Sequence, residues 1–104
     1  MLLIIFRSRL RADAGEDYQA MAAEMLASAS AMPGFVEYKH YTAEDGERLT
    51  IVKWQDEETL TAWREHARHR MAQRLGRERW YSQYQIEVAE IVRERLWQLD
   101  RSTD

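Results

Sequence analysis

Cysteine is missing from this 104-residue chain. That excludes disulfides, thiolate nucleophiles and cysteine-based zinc sites. Asparagine is missing too, and proline occurs once, at Pro33. No apolar run approaches the ~20 residues that a membrane-spanning helix needs. The opening Leu2-Leu3-Ile4-Ile5-Phe6 run meets Arg7, Arg9 and Arg11 too early for a signal peptide, and no small-residue cleavage site follows. A cytoplasmic protein that avoids membranes is the expectation. Net charge is −3, which speaks against general nucleic-acid binding. Neither an internal repeat nor a low-complexity tract is present.

What the chain does carry is a supply of groups to bury: four Trp, five Tyr and two Phe. That content, at this length, supports one domain with one core. We place the domain at residues 1–95 and expect 96–104 to be a polar, frayed tail.

Residues 2–10 alternate as a strand, with Ile4, Phe6, Ser8 and Leu10 on one face and Leu3, Ile5, Arg7 and Arg9 on the other. A helix follows. Asp13 and Glu16 have capping-box spacing, and Tyr18, Met21, Ala22, Met25, Leu26, Ala29 and Met32 form a stripe that Pro33-Gly34 ends. Residues 35–42 and 48–54 read as the two arms of a hairpin around Asp45-Gly46. Asp56 caps a second helix, with Glu57 and Glu58 in its positive first turn and Leu60, Trp63, Ala67 and Met71 facing inward. Gly76 marks a break near residues 73–80, and a last strand runs from Tyr81 to Arg93 with a bulge where the parity shifts at Ala89.

The order β-α-β-β-α-β predicts an α+β, ferredoxin-like fold: a four-stranded antiparallel sheet with both helices on one face. The uncovered face would then show Leu3, Ile5 and other apolar side chains to water. A twofold homodimer that packs sheet against sheet removes this exposure.

Three segments resemble the antibiotic biosynthesis monooxygenase family: Trp54-Gln-Asp-Glu-Glu-Thr-Leu-Thr-Ala-Trp63-Arg-Glu-His66-Ala-Arg-His69-Arg, Met32-Pro-Gly-Phe35, and Trp80-Tyr81. The resemblance implies a dimeric α/β barrel. Members include cofactor-independent oxygenases of phenols and quinols, haem-degrading enzymes, and proteins without known activity. Phenol-type members carry an Asn, a Trp four residues later, and a Tyr or His six beyond that. Trp63 and His69 fit the last two positions, while Thr59 stands at the first. The first-strand Asn of haem-degrading members falls at Ser8.

The expected function is oxidation of a small phenolic or quinol ligand by O2 without a bound cofactor. The alternative is a non-catalytic ligand-binding or stress-associated dimer, with haem binding less favoured. His69 is the candidate base, since histidine titrates near neutrality. Trp63 is the stacking wall, and Phe6, Ser8, Thr59 and Trp80 would border the pocket. Arg7, or an arginine of the second helix, would support an anion. His66 and His69 share a helical face, but no HExxH motif supplies a metal site, and none is expected.

Overall fold

In the computed structural model, residues 1–73 and 80–99 are described, including their side chains except at 16, 17 and 69–73. Six elements follow in order: β1 (Leu2–Leu10), α1 (Gly15–Ala31), β2 (Phe35–Thr42), β3 (Arg48–Trp54), α2 (Glu57–Gln73) and β4 (Tyr81–Glu90). The strands form one sheet in the order β2-β3-β1-β4, with every pairing antiparallel. This is the ferredoxin-like arrangement expected from the element order.

Register decides which side chains share a face. Ile4 stands between Val52 and Val88, and Phe6 between Thr50 and Ile86. Those residues, with Tyr38, lie on the helix-covered side. Ile5 stands opposite Ile51, and Leu3 opposite Lys53, on the other side. The core is built on the helix side, where Trp54 is fully buried among Ile4, Ala29, Val52, Leu60 and Trp63. A second cluster joins Tyr18 and Met21 of α1 to Trp80.

The hairpin loop turns at Gly46, whose φ of 91° is open to glycine and strained for other residues. Gly34 has φ 85°, and a side chain there would run into Thr59. The turn after α1 therefore needs glycine for two independent reasons. α2 starts as expected: Asp56 Oδ1 accepts the Thr59 backbone N–H at 2.9 Å.

Three expectations are corrected. Asp13 does not cap α1; it pairs with Arg11 at 3.3 Å, and the N-cap position is Ala14, without a side-chain cap. The Arg11–Ala14 turn, closed by the Ala14 N–H on the Arg11 carbonyl, displaces the helix start past Asp13. Leu26 of the apolar stripe is exposed. The bulge lies at the other end of β4, because the register shifts where Arg9 opposes Gln83 and Leu10 opposes Tyr81. Strand pairing ends at Glu90 instead of Arg93. The expected break at Gly76 and the inward-facing Met71 side chain lie outside the described residues.

Candidate functional site

A cavity of about 220 Å³ lies between the two helices and the sheet. α1 supplies Tyr18, Met21, Ala22 and Met25, and α2 supplies Trp63, Arg64, Ala67 and Arg68. From the sheet come Ile4 and Phe6, Tyr38, Thr50 and Val52, and Tyr81, Tyr84 and Ile86. The volume is below the ~300 Å³ at which drug-sized ligand pockets begin, so a compact ring system suits it.

The sequence explains the aromatic wall. The extra residue in β4, Ser82, stands unpaired and donates its hydroxyl to the Arg9 carbonyl at 3.3 Å. With it, Tyr81 and Tyr84, three apart in sequence, both turn to the cavity. Phe6 meets Tyr81 edge-on at 5.5 Å and Tyr84 at 5.8 Å between ring centroids. Tyr18 closes the group, edge-on to Tyr81 at 5.9 Å. At the opposite end Trp63 stacks on Trp54 at 6.0 Å with 26° between planes.

The electrostatics of the lining are one-sided. Arg64 and Arg68 reach the cavity from α2, and no acidic residue is among its described lining. Burial pushes the Tyr81 hydroxyl far above the usual phenol range, and the neighbouring Tyr18 adds to the shift. Burial also raises Tyr38, against a smaller opposite effect of its hydrogen bond with Thr50. Both phenols therefore stay protonated at neutral pH and serve as neutral hydrogen-bonding groups. Thr50 Oγ1 also lies 3.0 Å from His40 Nδ1. His40 stands exposed on β2, and burial, then the charge of Arg48, lowers its pKa.

Of the residues singled out from sequence, Phe6 and Trp63 line the cavity. Ser8 and Trp80 are buried but not among its lining residues. Thr59 packs on Gly34 and hydrogen-bonds Asp56 at the start of α2. Arg7 sits on the other face of the sheet, bonded to Glu47 at 3.1 Å and 3.7 Å from Glu87. The His69 side chain lies outside the described residues. Sequence reasoning missed Tyr38 and Thr50 as lining residues; their alternation on β2 and β3 was visible, but which face met the helices was not. Among the described residues, no group of three His, Asp or Glu could hold a metal ion, and no helix is long and apolar enough to cross a membrane.

This geometry, a small aromatic cavity roofed by two helices on an antiparallel sheet, is set in a chain that belongs to the antibiotic biosynthesis monooxygenase family, whose description matches residues 1–75. Among its relatives, an uncharacterised protein of Bacillus subtilis, YqjZ, is 32% identical over 95 residues, 91% of this chain and 82% of the relative. A jasmonate monooxygenase of Pyricularia oryzae is 29% identical over 94 residues, covering 88% of this chain but only 44% of that longer protein. The solved structure of SnoaB, a cofactor-independent oxygenase of Streptomyces nogalater, superposes with a TM-score of 0.69 at 17% identity, covering 93% of this chain and 97% of SnoaB.

Proposed function

We propose that this protein is a homodimeric monooxygenase that oxidises a small phenol or quinol with O2, without a bound cofactor. The observation that carries the reading is the cavity itself: an aromatic enclosure with two arginines and no carboxylate in its described lining. The family membership and the oxygenase relatives support it.

Such a reaction needs an electron-rich substrate that loses a proton. The anion passes an electron to O2, the two radicals combine to a peroxide, and loss of water leaves a quinone. Trp63 and the Phe6–Tyr81–Tyr84 wall sandwich the ring and exclude water. Arg64 and Arg68 take the anion-supporting role first given to Arg7, whose guanidinium is engaged on the opposite face. The neutral tyrosines orient the substrate oxygen. His69 is the proposed base on α2, and the Thr50–His40 pair offers a second path from cavity to solvent. The dimer forms through the sheet faces that the helices leave open.

A panel of quinols and anthrone-like phenols, followed by O2 uptake, tests the reading. Turnover that falls in a His69→Ala variant supports it. Tight binding with no O2 uptake across the panel supports instead the non-catalytic dimer, which the absence of asparagine favours.

A further inference from the structure

Beyond the sheet, residues 91–99 continue β4 without turn, bend or helix. Ile91 is tied by its N–H to the Met1 carbonyl at 3.0 Å. From there the chain leaves the domain with its apolar side chains in the open: Val92 is 87% exposed, Leu96 80%, Trp97 76% and Leu99 60%. The expectation of a polar, frayed end does not describe this segment. A large aromatic and three aliphatic side chains within eight residues form the kind of exposed apolar surface that marks an interaction site.

A complementary surface exists on the same molecule. β4 is an edge strand, paired only with β1 among the described residues. It carries Ile86 at 47% and Val88 at 50% exposure. The segment cannot fold back to cover its own strand, because residues 87–99 contain no Gly, Pro, Asn or Asp with which to turn. Its nine residues can span roughly 30 Å when extended, more than the width of four strands at about 4.8 Å spacing. Another molecule must receive it, and a second copy offers the matching features: an open strand edge, exposed apolar side chains, and Glu87 and Glu90 to meet Arg93 and Arg95.

We propose that residues 91–99 are an arm that clasps a second copy of this chain, lying along the free edge of its β4 over Ile86 and Val88. Twofold symmetry makes the exchange mutual. Ile86 also lines the cavity, so the partner's arm forms part of the cavity wall and each site is complete only in the dimer. The inference rests on the homodimer proposed above and adds to it the arm and its contribution to the site.

The cysteine-free sequence gives a clean test. Two differently tagged forms, Leu96→Cys and Val88→Cys, are mixed, allowed to exchange and treated with a short bismaleimide. The proposal expects a covalent heterodimer carrying both tags, and a Trp97→Ser variant whose dimer dissociates about tenfold more readily in sedimentation equilibrium. Linkage within one chain of the double variant would overturn the exchange. A dimer in sedimentation with no 88–96 linkage would overturn the arm and leave the sheet-face dimer standing. Lone protomers of the unaltered protein at micromolar concentration would overturn both.

Discussion

Alternate residues of β1 are put to opposite uses. Ile4 and Phe6 turn to the helices, where one is core and both line the cavity. Ile5 and Arg7 turn to the other face. There Leu3, Ile5, Leu49 and Ile51 stay half-buried at the centre, while charged pairs ring them: Arg7 with Glu47, and Arg9 with Asp45 at 2.8 Å. The helix face is aromatic and enclosed, with its only described charges being the two arginines of α2 at the cavity. The open face has an apolar centre and a rim of paired charges, the anatomy of a contact surface. One strand period of two residues thus separates a ligand-holding side from a copy-holding side.

That division can be broken from either side. The largest effect is expected at Trp54, fully buried on the helix face: Trp54→Ala should cost about 3–5 kcal/mol in denaturant unfolding. Ile51→Asp, on the open face, should leave the protomer folded but put an unpaired charge into the contact, weakening the dimer by about 100-fold in sedimentation equilibrium, since a buried unpaired charge costs several kcal/mol. If instead it unfolds the protomer without touching assembly, the faces have been assigned the wrong roles. Ala67→Phe fills the cavity from α2 and should weaken naphthol binding about tenfold by calorimetry, ~1.4 kcal/mol, with the dimer unchanged.

Smaller effects follow from charge. His40 should titrate below its ordinary 6.5, and Arg48→Met should move it upward in an NMR titration, because Arg48 is one of the two causes of the depression. The Asp45 carboxyl is held below 3.8 chiefly by its hydrogen bond from Arg9. Its contribution to stability is therefore present above pH 3.8 and disappears as pH falls through the depressed folded value. Arg9→Ala should flatten that acid limb slightly and change little at neutral pH.

Much of the fold was readable from sequence, and much of the site was not, for a physical reason. Element order followed from local signals: Pro33-Gly34 ending α1, Asp45-Gly46 turning the hairpin, Asp56 capping α2. Each acts within a few residues of itself. The cavity is assembled from five elements, and its lining depends on register. A single bulged residue, Ser82, is associated with both Tyr81 and Tyr84 facing inward, and nothing in the local pattern placed it there. Arg7 was mistaken for a cavity residue although its parity with Ile5 already put it on the open face. Trp63 was legible because helical spacing alone aimed it at the core. The exposed Leu96 and Trp97 were overlooked because the surrounding charges read as a tail.

The most direct measurement is an NMR titration of the labelled protein with 1-naphthol. The account predicts saturable shifts at Phe6, Tyr38, Thr50 and Trp63, with Leu3, Leu49 and Ile51 unmoved. Shifts confined to the open face, or none at saturating naphthol, would contradict the assignment of the ligand to the helix side of the sheet.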